Sequence, residues 1–131
     1  MTNRNNALDE TNYKDAINNS FVFGLAFDLS IFRCAGTPED IPNYTAYMKT
    51  IIALRKRYGK FFHYGKFVDE DGIGYDKKVF LQKAYVAPDG ALGVAVWNLS
   101  NGTDTVTYTN VETGKEVSVT LEKDAVCFVE L

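Results

Sequence analysis

Asp28 is the one acidic residue set in a strongly apolar stretch, between Phe21 and Phe32. Burial disfavours its charged form, and a carboxyl so placed can serve as a general acid or base. Cleavage of a glycosidic bond needs two carboxyls flanking the scissile atom, roughly 5–10 Å apart. No partner acid stands near Asp28 in sequence, so an acid that caps or ends a buried element is the simpler expectation. A second group, Asp69, Glu70, Asp71 and Asp76, surrounds Gly72 and Gly74. Oxygen-rich loops hold calcium, but this spacing departs from the EF-hand pattern, and a solvated hairpin turn is expected instead. His63 is the only histidine. That leaves no paired histidines for zinc, and His63 is expected to pack at a seam between elements. Cys34 and Cys127 have neither a CxxC spacing nor a neighbouring histidine. Two reduced, apolar cysteines are expected, with a disulfide from the helical part to the last strand as the alternative. No catalytic, cofactor-binding or metal-binding set emerges.

Recognition chemistry remains. An exposed aromatic ring on a strand or loop can stack on a sugar, and Tyr64, Tyr75, Tyr85, Trp97 and Tyr108 are candidates. Tyr75, Trp97 and Tyr108 are singled out as sugar contacts. Trp97 lies in the most apolar strand, where a core role competes, whereas Tyr75 and Tyr108 are better placed for exposure. Asn18, Asn43, Asn98 and Asn101 open N-x-S/T triplets, which matter only in a secreted chain.

The elements that must position these residues follow from periodicity. Residues 1–10 are polar and are expected to form a disordered lead. Tyr13, Ala16, Ile17, Ser20, Phe21 and Gly24 share a helical face, which favours a helix over 12–26. From Phe21 to Ile31 the large apolar residues also alternate, so residues 20–33 fit either a helix or a strand. Thr37 is a helix cap, Pro38 suits a first turn, and Pro42 restarts the element. The main helix is expected over Asn43–Tyr58, with Tyr44, Tyr47, Met48, Ile51, Ile52, Leu54 and Tyr58 as its buried stripe. Arg55-Lys56-Arg57 falls in the last turn, where cations on a solvated face complement free carbonyls. Gly59 is expected to end the helix as a C′ residue.

Beyond Gly59 the period changes to two. Strands are expected at Phe61–Asp69, Val79–Val86, Ala91–Leu99, Thr105–Val111, Glu116–Leu121 and Ala125–Leu131, separated by Pro88-Asp89-Gly90, Asn101-Gly102 and Thr113-Gly114 turns. Ala91–Leu99 is apolar on both faces and belongs between layers. Thr105, Thr107 and Thr109 mark a water-facing edge strand. The fold class is α+β, mainly β: a helical segment over 11–59 packed on an antiparallel sandwich of about six strands over 60–131.

With 131 residues, 46% of them hydrophobic, and a net charge of −3, the chain can fill a core. It has no basic excess to draw a nucleic acid or an anionic membrane. The polar N-terminus shows no signal peptide, so a cytoplasmic location is the default.

The order of parts carries a resemblance. The helix Tyr47-Met-Lys-Thr-Ile-Ile-Ala-Leu-Arg-Lys56, the step His63-Tyr64-Gly65-Lys66-Phe67 and the later Ala95-Val96-Trp97-Asn98 resemble glycoside hydrolases of the α-amylase and α-galactosidase kind. The piece Phe23-Gly24-Leu25-Ala26-Phe27-Asp28 looks like the barrel segment before them. Over roughly 12–131, the resemblance implies the end of a (β/α)8 barrel followed by a C-terminal β-sandwich. A whole barrel takes about 250 residues, and the family's catalytic carboxylates lie on middle strands that nothing here matches. The implied role is a non-catalytic accessory domain, with no cofactor. Two other roles are weighed: a free-standing carbohydrate-binding module, marked by an exposed aromatic row, and a domain that self-associates into a homodimer through its helical segment.

Overall fold

The structure, a computed structural model, describes residues 10, 12–27 and 36–131. Asp28, Cys34 and the rest of 28–33 lie outside the described residues, while over 20–27 the ambiguous stretch is helix only through Val22, short of the expected end at 26. The helices are α1 (Tyr13–Val22), α2 (Pro42–Arg57) and α3 (Gly59–Phe62), with a 3-10 turn at Pro38–Asp40. Seven strands follow among the described residues: β1 (Lys66–Asp69), β2 (Ile73–Tyr75), β3 (Phe80–Val86), β4 (Leu92–Asn98), β5 (Asp104–Asn110), β6 (Glu116–Leu121) and β7 (Val126–Glu130). They form two antiparallel sheets, ordered β1-β3-β4-β7 and β2-β5-β6. The class is α+β, mainly β, as the periodicities require.

β4 shows why three layers result. Its residues are buried throughout, and its side chains alternate between two cores. Ala95 and Trp97 join Ile17, Phe21, Val22, Ile41, Ile51 and Phe61 on the helical side. Leu92, Val94 and Val96 meet Val106, Tyr108 and Val119 of the other sheet. The four-stranded sheet is therefore the middle layer. The α2 stripe docks as expected, except that Ile52 stays outside the cluster and Ile41 joins it.

The Phe61–Asp69 stretch needs correction. Gly59–Phe62 is helical, and only Lys66–Asp69 is strand. The reason is that neighbours Phe61 and Phe62 both pack on Phe128, with ring centroids 4.9 and 5.2 Å away. A strand would send them to opposite faces. Gly59 is not a left-handed C′ residue, since its φ is not positive. Tyr58 caps α2 instead, donating its N–H to the Leu54 carbonyl at 3.3 Å. The lack of a side chain at Gly59 leaves room for the His63 ring, whose Cδ2 lies 3.2 Å from where a Cβ would stand.

The acidic turn after β1 is not a hairpin, because it carries the chain from one sheet to the other. β5 is not an edge, because β2 and β6 flank it. Its threonines do face outward, pairing hydroxyls across to β6: Thr105 with Thr120 at 2.8 Å and Thr107 with Ser118 at 2.9 Å. The Pro88-Asp89-Gly90 and Thr113-Gly114 turns form as expected, with Gly90 and Gly114 at φ 86 and 74. Cys127 is a free thiol packed against the inter-sheet core, and burial pushes its pKa up to about 12. Asn18 and Asn98 are fully buried, which bars glycosylation of the folded chain at either triplet.

The expected disordered lead fails at its last residue. The Glu10 carboxylate accepts the backbone N–H groups of Asn43 (2.8 Å) and Tyr44 (3.0 Å) and the Asn43 amide (2.7 Å). It caps α2 from outside the helix, supplying the acceptor that Ile41 lacks. The Tyr44 N–H holds its pKa below the ordinary 4.5. The charged form is thus favoured by folding, so this contribution is present above pH 4.5 and disappears as the pH falls through the lowered value. Wild type is expected to lose urea resistance on acidification more steeply than Glu10→Ala. Parallel acid limbs in the two unfolding series would remove the cap from the account.

Candidate functional site

The last turn of α2, the start of α3, the two residues that follow α3 and the end of β7 border an open cleft of about 720 Å³, lined by Lys56, Arg57, Lys60, His63, Tyr64 and Glu130 among others. Helical spacing decides which cations reach it. Arg55 turns inward and donates to the carbonyls of Gly24 (2.9 Å) and Leu25, its guanidinium set 5.3 Å from the centroids of both Phe27 and Phe62. Arg55 therefore serves the chain leaving α1 and not a solvated face on its own helix, which corrects the expectation for that residue. Lys56 and Arg57, one and two positions on, turn outward and are exposed.

The walls of the cleft are braced. Lys60 Nζ lies 2.7 Å from Glu130 and 3.6 Å from Asp89, and the hydrogen bond it donates to Glu130 holds the lysine pKa above its ordinary value. The Arg57 guanidinium sits 5.6 Å from the centroid of Tyr58, which in turn packs 4.6 Å from Phe128 in the core. Tyr64 stands out from the surface with 78% of its area exposed, the His63 ring meeting it edge-on at 6.4 Å. Among the described residues neither Lys56 nor Arg57 has an ion-pair partner. His63 is exposed and lines the cleft, so the expected packing at a seam is not what it does.

The three rings singled out as sugar contacts are not brought together. Trp97 faces the helices and is 7% exposed, and Tyr108 is fully buried between the sheets. Tyr108 donates to Gln82 Oε1 at 3.3 Å. Neither ring can reach a sugar in this fold, which corrects the exposure expected of Tyr108. Tyr75 is half-buried, its hydroxyl donating to Glu70 at 3.0 Å, and that bond raises its pKa. Tyr85 is likewise internal, donating to the Val22 carbonyl at 2.6 Å.

The acidic turn is spoken for. Glu70 also accepts from Gln82 Nε2 at 3.1 Å, Asp69 pairs with Lys83, and Asp76 accepts the Thr107 N–H at 2.9 Å. Among the described residues no three His, Cys, Asp or Glu side chains converge to hold a metal. A smaller cleft of about 260 Å³ carries Asp71 and Glu112 near Val68, Val86 and Leu92. Both acids are exposed, so neither has the desolvated setting that tunes a carboxyl for acid catalysis. No described helix is long and apolar enough to cross a membrane.

The Lys56–Tyr64 cleft is only partly legible in the sequence. Tyr64 stood among the candidate rings, but the cations read as helix-end residues and His63 as packing. The signal was the interleaving of cations and aromatics from Arg55 to Phe67. Compared with family models, curated proteins and solved structures, the chain has no match.

Proposed function

We propose that the chain is a non-catalytic accessory domain of a glycoside-hydrolase-like protein, a helical end piece fused to a C-terminal sandwich. The observation that supports it is the build of the helix-to-sheet step. Phe61 and Phe62 anchor on Phe128, and the chain then turns at Gly65 into β1. A Cβ at Gly65 would stand 2.3 Å from the Phe61 carbonyl oxygen, so the glycine of the Tyr64-Gly65-Lys66-Phe67 step is required by backbone contact. The two other roles draw less support. The outer face of the β2-β5-β6 sheet presents hydroxyls where a sugar-binding row would present rings. Of the Phe21 to Phe32 stretch that a helical homodimer would use, Phe21 and Val22 are buried within this chain and Phe23 is exposed, while 28–32 lie outside the described residues.

The purified chain is expected to hydrolyse aryl α- and β-glycosides no faster than buffer. Turnover that persists in material from a host lacking glycosidases would overturn the non-catalytic role. The lineage is tested separately by the reading frame upstream of Met1, which is expected to encode barrel strands. A frame without them would remove the lineage.

A further inference from the structure

We infer that the cleft beside Tyr64 binds an anionic sugar, one carrying a carboxylate or a phosphate. This goes beyond the accessory role and does not depend on the lineage. Its volume of about 720 Å³ lies within the range of small-molecule sites, about 300–1,000 Å³. Three cations and one carboxylate line it, together with His63 and Tyr64. Lys60 is committed to Glu130 and Asp89. Lys56 and Arg57 remain without ion-pair partners among the described residues. The C-terminal end of α2 offers them only about half a negative charge, so positive potential is left over for a ligand.

The arrangement selects among anions. Arg57 presents a planar fork suited to a carboxylate or phosphate, and its stacking on Tyr58 reduces the freedom it must lose on binding. Tyr64 offers an exposed ring face against which the apolar face of a pyranose can lie. Glu130, from the end of β7, can accept sugar hydroxyls at the oxygen that Lys60 leaves open. A nucleic-acid strand is disfavoured, because Glu130 lines the site, Asp89 pairs with its Lys60, and the chain as a whole carries a charge of −3. One anionic group on a polyol ring fits all of these features together.

The test is a titration of the isotope-labelled full chain followed by backbone amide shifts. The probes are glucuronate, glucose 6-phosphate, glucose and inorganic phosphate. One or both charged sugars are expected to shift amides of residues 56–65 and 130, with a dissociation constant on the order of 1 mM. Which of the two binds tells a uronate site from a sugar-phosphate site. Joint Lys56→Ala and Arg57→Ala replacement is expected to weaken binding about tenfold or more. Tyr64→Ala is expected to weaken the sugars several-fold and leave inorganic phosphate unaffected. All three side chains are exposed, so the variants should keep the wild-type amide spectrum elsewhere. No shifts at the cleft with 50-fold higher probe, or binding indifferent to the cation replacements, would overturn the site. Glucose binding as tightly as the charged sugars would overturn its anionic character. Inorganic phosphate matching glucose 6-phosphate, with Tyr64→Ala silent, would overturn the sugar.

Discussion

Gly93→Ala is expected to destabilise the chain by about 2–3 kcal/mol, near the upper end of overpacking costs. A Cβ at this position would stand 2.4 Å from Phe128 Cζ and 3.0 Å from Phe61 Cε1. A ring tip can often swing away from such a contact. Here it cannot do so alone, because Phe128 is wedged against Tyr58, Phe61, Phe62 and Tyr85, with centroids 4.6–6.3 Å apart. Moving it shifts the whole seat of α3 on the middle sheet. An alanine also restricts the unfolded chain, which returns about 0.4–1 kcal/mol, so the clash must exceed that gain for the variant to be destabilised. Urea unfolding measures the sum. The cause is separated by a double variant: Phe128→Leu is expected to be costly alone but to recover part of the Gly93→Ala loss, giving a coupling of about 1 kcal/mol. Strict additivity would mean that the alanine acts through the strand backbone and not through this ring.

That cluster also explains what could and could not be read from sequence. The α2 stripe and the two-sided burial of β4 were legible because each is a periodic signal over seven residues or more. The Thr37 cap was legible because its chemistry is local, and its N–H does meet Asp40 at 2.8 Å. The exposure expected of Tyr108 fails because alternation tells which residues share a face, not which face meets the core. Thr105, Thr107 and Thr109 were placed outward correctly, and Tyr108, between them, then had to point inward. β2, only three residues long, has too few residues for a period to show. Arg55 and Glu10 each act on a backbone more than 29 residues away in sequence, and no local pattern encodes such a pairing. The cleft follows the same rule: its cations come from one helix end, but Glu130 arrives from the last strand.

Asn98 carries the second large effect, and its two substitutions are expected to differ in a way only its hydrogen bonds explain. Its side chain is fully buried. The amide Nδ2 points at the carbonyls of Gly102 (2.9 Å), Leu121 (2.9 Å) and Glu122 (3.1 Å), while Oδ1 accepts the Ser100 N–H at 2.8 Å. Two amide hydrogens thus serve three acceptors, one of them shared. They tie the β4–β5 turn to the end of β6. Asn98→Ala removes this node and is expected to cost about 2–3 kcal/mol, since each buried group left unpaired costs about 1–3 kcal/mol and water can reach the exposed Gly102 and Glu122. Asn98→Asp keeps the shape but sets a carboxylate oxygen against three carbonyl oxygens. At pH 7 it is expected to cost more than alanine, about 3–5 kcal/mol, as for an uncompensated buried charge. Folding then favours the protonated acid, so the pKa of the new carboxyl rises above its unfolded value near 3.9. A raised carboxyl pKa gives stability that is intact below the unfolded pKa and is lost as the pH rises through the folded one. The aspartate variant should therefore approach wild type as the pH is lowered toward 4, while the alanine variant keeps a constant deficit relative to wild type. Urea midpoints for the three chains between pH 4 and 8 decide it. An aspartate deficit that does not change with pH would mean the amide is not donating to those carbonyls.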